Sequence, residues 1–231
     1  MKTLGMIGGI GPESTIDYYR AIIAAYRKQI SDDSYPSIII NSINLTKAVG
    51  LVTANELEAL ADFLLAELGR LARAGASIAF LAANTPHIVF HRLQPRSPIP
   101  LVSIVEAACG AAKAKGFQKV GLFGTRFTMQ GQFYPEVFTR EGIALVVPDA
   151  ADQEQIHNIY MNELLKNIFL PESRAVLLAI IDRLREKSGM EGLLLAGTEL
   201  PLILRNKEHN GIPLLDTTVI HAEAAVAEML R

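Results

Sequence analysis

The chain has 231 residues, 50% of them hydrophobic and 20% charged, with a formal net charge of -2. That length and apolar content suit one large domain or two small ones with a sizeable core, and a near-neutral charge without a long Lys/Arg run argues against nucleic acid as a partner. No apolar run reaches the roughly 18 to 20 residues of a membrane span, and MKTLGMIGGIGPE is broken by Gly and Pro before it can form a signal core, so no membrane association and a cytoplasmic location are expected.

From the N-terminus, LGMIGG reads as a buried strand and GGIGPES as a tight strand-to-helix turn. It is not a nucleotide loop, because the spacing is not G-x-G-x-x-G and no acidic residue closes the next strand, which ends INSIN. A helix around TIDYYRAIIAAYRKQI, a strand SIIINSI, a helix around LEALADFLLAELGRLARAG and a strand SIAFLAA follow. This is the βαβ rhythm of a mostly parallel sheet covered by helices, an α/β fold. SIAFLAA then breaks into Asn84-Thr85-Pro86-His87 and continues as a helix. Polar side chains where a strand of such a sheet ends are where the fold keeps its chemistry. The one cysteine, Cys109, lies in the helical pattern VEAACGAAKAKG; it excludes an intramolecular disulfide and a zinc-thiolate cluster, and reads as a packed thiol. The second half runs KVGLFGT, a helix near QFYPEVFTREG, ALVVP, helical stretches from Gln153 to Phe169 and from Glu172 to Lys187, and EGLLLAGT.

The halves repeat. LAANTPH and LLAGTELP superpose Thr85 on Thr198, and PIPLVS and GIPLLD superpose Pro100 on Pro213, both at an offset of 113; LGMIGG and VGLFGT superpose Gly5 on Gly121 and Gly8 on Gly124 at 116. Four anchors with a slip of three residues imply a duplicated unit. The expectation is two similar lobes, residues 1–98 plus 212–231 and residues 99–211, related by a pseudo-twofold axis, with strand ends facing across a cleft. Two equivalent groups on opposite faces of one carbon suit cofactor-free, two-base proton transfer.

From MKTLGMIGGIGPEST through GTRFTM and IHNIYMNELL to DTTVIHAEAAVAEML, the chain resembles the aspartate/glutamate racemases, isomerases that interconvert amino-acid enantiomers without a cofactor. The resemblance implies a cysteine just before the first Asn-Thr and another just before the second Thr-Glu. Here those catalytic positions are Ala83 and Gly197, a methyl group and a hydrogen atom that can neither take nor return a proton. The resemblance also implies substrate contacts by Gly9, Ile10 and Gly11 through the backbone, by Asn84, Thr85, Thr125 and Thr198 as neutral donors, by Lys47 toward a distal carboxylate, and by Glu199 toward the ammonium group. Glu199 is in addition a candidate base. Asn84-Thr85 also reads as an N-cap before Pro86, and Lys47 as a solvated loop lysine.

No metal site is expected, since His87 and His91 share a helical face without a third ligand. Asp216 and His221 read as structural hydrogen-bonding groups, and Tyr18, Tyr19, Phe133 and Tyr134 as packing for two related helices. The chain is therefore expected to bind aspartate, glutamate or another small carboxylate weakly while exchanging its α-proton negligibly. Two alternatives stay open: a racemase whose thiols were replaced on purpose or whose base arrangement is altered, or a natural relative that binds a carboxylate or runs a decarboxylation or isomerisation. The apolar helix LEALADFLLAEL points to a homodimer.

Overall fold

The structure, a computed structural model, describes residues 2–231. In chain order the first half carries β1 (Leu4–Gly8), α1 (Pro12–Gln29), β2 (Ile38–Ser42), α2 (Leu45–Thr53), α3 (Leu57–Arg73), β3 (Ile78–Leu81), a 3-10 turn (Thr85–Val89), α4 (Phe90–Leu93) and β4 (Leu101–Val102). There follow α5 (Ile104–Ala114), β5 (Lys119–Gly124), α6 (Arg126–Gln130), α7 (Phe133–Arg140), β6 (Ala144–Val146), α8 (Ala150–Asn162), a 3-10 turn (Leu164–Lys166), α9 (Pro171–Ser188), β7 (Gly192–Ala196), α10 (Leu200–Ile203), β8 (Glu208–His209), β9 (Ile212–Asp216) and α11 (Thr217–Leu230). The chain divides into two compact units, one running to Ile104 and resuming at Thr218, the other Val105–Thr217.

The first unit holds a four-stranded sheet in the order β2-β1-β3-β4, every neighbour parallel. β1 and β3 are buried along their whole length, as central strands covered on both faces must be. Helix α1 starts with Pro12 at its first turn, where a missing N–H costs nothing. It turns Tyr18, Ile22, Ala25 and Tyr26 inward. The C-terminal α11 adds Ala222, Ala225, Val226 and Met229 to the same core, which also contains Leu4, Met6 and Phe80. Each large apolar side chain so buried stabilises the unit by roughly 1.5 to 3 kcal/mol relative to exposure.

The second unit holds the order β6-β5-β7-β9-β8, parallel but for the β8–β9 pair. Without β8, this is the strand order of the first sheet, so the repeat read from the offsets is also a repeat of topology. Its core gathers Phe123, Ile156, Tyr160, Leu177, Ile180, Leu193 and Leu195 from α8, α9, β5 and β7. The mostly parallel α/β architecture thus agrees with the sequence reading. β4 joins the first sheet and β9 the second, and each crossing falls at the start of a helix, after Ile104 and after Thr217.

Two packing expectations need adjustment. Tyr18 and Tyr134 are fully buried, but Tyr19 is 47% exposed and Phe133 only partly covered, because adjacent helix positions point about 100° apart. The apolar side chains of α3 are consumed internally, with Leu60, Leu64, Leu68 and Leu71 buried. That helix leaves no surplus apolar face of the kind the dimer expectation invoked. His87 and His91 are not a ligand pair, since both ring nitrogens of His87 are engaged within the fold, Nδ1 with the Ala83 carbonyl and Nε2 with the Ile104 amide.

Candidate active-site residues

In the first unit the sequence-predicted residues collect at the C-terminal ends of β1 and β3. Beyond Gly8 the chain turns through Gly9 at φ +83°, where a side chain would place its Cβ 2.5 Å from the Ile43 carbonyl oxygen and 2.7 Å from the Ile43 nitrogen. Only glycine satisfies both the left-handed backbone and the close approach. The turn is tied down by Gly9 N donating to Thr15 Oγ1 at 2.7 Å and by Ile43 N donating to the Gly8 carbonyl at 2.9 Å. The Ile10–Gly11 peptide is cis, and Gly11 precedes α1. Substituting Gly9→Ala is expected to lower stability by about 3 kcal/mol, combining left-handed strain with the backbone collision; a shift in urea midpoint checks this.

Ala83 and Asn84 follow β3 as buried residues, and Thr85 opens the 3-10 turn. Asn84 adopts helical dihedrals and its side chain does not cap the turn, so the N-cap alternative does not describe it. His87 lies behind Ala83. Because its Nε2 accepts from the Ile104 amide at 3.2 Å, its Nδ1 carries the proton donated to the Ala83 carbonyl at 2.9 Å. Burial above all, and then the neighbouring His221, hold the His87 pKa down at about 3. His221 is likewise held down to about 4 by burial; its Nε2 meets the Val102 carbonyl at 3.0 Å and its Nδ1 meets the Tyr18 hydroxyl at 2.9 Å. His221 is thus the structural residue its position suggested. Lys47, exposed in α2, sets its Nζ 4.3 Å from the centre of the Phe63 ring and donates its backbone N–H to the Asn44 side-chain cap, which corrects the loop reading.

In the second unit the matching cluster forms beyond β5 and β7. Thr125 caps α6 by accepting from Thr128 N at 3.3 Å. Gly197 follows β7, and a Cβ there would lie 2.5 Å from Tyr160 Cε2, 3.2 Å from Tyr160 Cζ and 3.3 Å from Leu200 Cδ1. The Tyr160 ring, carried by α8, occupies the room a side chain at 197 would need. Its hydroxyl donates to Glu199 Oε2, and the same oxygen accepts from Thr198 Oγ1 at 2.9 Å. Burial and the adjacent Glu199 charge raise the Tyr160 pKa well above its ordinary value, so the phenol keeps its proton and acts as a donor. Tyr160 lies 39 positions from Glu199, inside IHNIYMNELL, a segment that carries the resemblance without a role for any of its residues, and no spacing signal singles it out.

Residues 7–225 match the family described as Asp/Glu/Hydantoin racemase. Among solved structures, the chain is similar to a candidate Asp/Glu racemase from Yersinia pestis, with 33% identity, a TM-score of 0.90 and both chains covered completely. It is also similar to an aspartate racemase homologue from Pyrococcus horikoshii OT3, at 32% identity, TM-score 0.85 and complete coverage of both. A protein of Pectobacterium carotovorum subsp. carotovorum of uncharacterised function is 31% identical over 51% of this chain and 77% of its own. The Picrophilus torridus aspartate racemase shares the fold at 20% identity and TM-score 0.75, over 99% of this chain and 94% of that one.

Proposed function

The chain belongs to the Asp/Glu/hydantoin racemase family, a family of isomerases, and from that premise we propose that it binds aspartate, glutamate or a closely related small carboxylate without racemising it by the two-thiol route. The carrying observation is that a buried methyl group at Ala83 and a hydrogen atom at Gly197 follow β3 and β7, so neither position can move a proton. In this reading the amides of Gly9, Ile10 and Gly11 and the side chains of Asn84, Thr85, Thr125 and Thr198 hold carboxylate oxygens. Lys47 supplies positive charge for a distal carboxylate and Glu199 negative charge for an ammonium group. The Tyr160 ring against Gly197 favours a natural relative with a rebuilt site over a thiol site from which sulfur was removed, and it keeps decarboxylation or isomerisation as the second reading.

Calorimetry should detect binding of one or both amino acids. Chiral chromatography should show interconversion at least about 10²- to 10⁴-fold below that of a positioned acid-base pair; interconversion at an ordinary enzymatic rate sinks the proposal. We further propose that the protein works without a cofactor, in the cytoplasm and as a homodimer. Support for the dimer is the apolar surface of Ile16 and Tyr19, 46% and 47% exposed at a three-residue spacing on α1. Sedimentation of a single monomeric species at micromolar concentration would overturn it.

A further inference from the structure

We infer that Glu199, held by Tyr160 and Thr198, is the single proton-transfer group of this chain, which therefore exchanges the α-proton of one enantiomer of a bound amino acid with solvent and returns it to the same face. The inference rests on the binding reading above and deepens it.

Three observations carry it. The Tyr160 ring fills the space beside Gly197, so what stands at the end of β7 is a carboxylate with two hydroxyl donors on Oε2. Glu199 is 2% exposed, so its carboxylate has no hydration shell to shed before it approaches a C–H bond, and its two fixed donors hold it in one orientation. Among the described residues the other buried carboxylates are committed elsewhere. Asp152 is paired with Arg183, and Glu67 with Arg70 and Asn41. His87 is locked between the Ala83 carbonyl and the Ile104 amide. Tyr160 keeps its proton and orients Glu199, which makes it a positioning residue.

The step balances without an oxidant or a cofactor. The Glu199 carboxylate takes the α-proton, and the C–H electron pair moves into the substrate carboxylate to form an enediolate. The resulting Glu199 carboxylic acid exchanges its proton with solvent and gives one back to the same carbon. Returning a proton to the opposite face needs a second group, and the other position where the resemblance implies one, Ala83, carries only a methyl. Retention of configuration with exchange follows.

The test is α-proton loss by NMR in D₂O with each enantiomer of aspartate and glutamate, with calorimetry and chiral chromatography in parallel. Exchange of one enantiomer with configuration retained is expected. Glu199→Gln, assayed at amino-acid concentrations that saturate it, should lower that exchange by about 10²-fold or more. Glu199→Asp, which keeps the charge, guards against loss of folding by giving an intermediate rate. Tyr160→Phe, which keeps the ring and removes only the donor, should lower the saturated exchange rate by about tenfold while leaving amino-acid affinity within about twofold; a merely structural role would move both together. Exchange of both enantiomers, racemisation, or undiminished exchange in Glu199→Gln overturns the inference. Binding without exchange overturns it and leaves the binding reading standing, whereas no binding of either amino acid removes both.

Discussion

Introducing cysteine at position 197 is expected to lower the stability of the protein by about 2 kcal/mol and to add no racemisation beyond what Ala83→Cys alone confers. The new Cβ would stand 2.5 Å from Tyr160 Cε2, far inside van der Waals contact. The ring cannot swing away cheaply, since its hydroxyl is bound to Glu199 and its face belongs to the core that contains Ile156, Leu164, Leu195 and Leu200. Overfilling a packed core typically costs about 1 to 3 kcal/mol. The displaced phenol would in addition leave a buried carboxylate with one donor fewer, a loss of about 1 to 3 kcal/mol wherever the gap is not refilled. A shorter residue in place of the ring should reverse the catalytic result. The triple variant Ala83→Cys, Gly197→Cys, Tyr160→Leu is expected to interconvert enantiomers faster than the double variant does. Urea midpoints and chiral chromatography read both effects; a Gly197→Cys protein as stable as its parent would show that the ring moves aside and that Tyr160 does not govern the position.

Acidification from pH 7 to pH 5 should reduce the unfolding free energy by about 4 kcal/mol through His87 and His221 alone. Both are buried and held neutral, His87 down to about 3 and His221 to about 4, against an ordinary histidine value of 6.5. The unfolded chain therefore binds protons that the folded one refuses. Stability is complete above pH 6.5 and falls as the pH drops, by about 1.4 kcal/mol per unit for each histidine, until the folded values are approached. Geometry gives the same sign. Protonating His221 would turn Nδ1 from the acceptor of the Tyr18 hydroxyl into a second donor, and protonating His87 would aim an N–H at the Ile104 amide. Urea unfolding at pH 7.5, 6 and 5 measures the slope. His221→Asn should start less stable and lose stability more slowly on acidification, and an unchanged slope in that variant would remove His221 from the account.

Much of the fold was legible because burial imposes periodicity. SIAFLAA and EGLLLAGT are continuous apolar runs since β3 and β7 are central strands covered on both faces, and the inward positions of α1 repeat every three to four residues. Helix α2 was harder to see, for its nine residues follow an Asn44 cap inside what reads as a loop. The sequence reading places the crossings before IPLV and IPLL, short apolar runs that match either sheet equally well, whereas the compact units divide after Ile104 and after Thr217.

The sequence by itself determined the α/β class, the internal duplication, the Gly-rich turn after β1 and the identity of the residues at the strand ends, including the two that cannot move a proton. These are properties of local pattern and chemical type, which neighbours along the chain suffice to express. Only the tertiary structure decided what surrounds those residues. Tyr160 reaches Gly197 and Glu199 across 37 and 39 positions of chain, and His221 joins Tyr18 across 203. Such contacts depend on how helices pack on a sheet, with side-chain directions and distances set by the whole core, and a linear pattern carries no term for them.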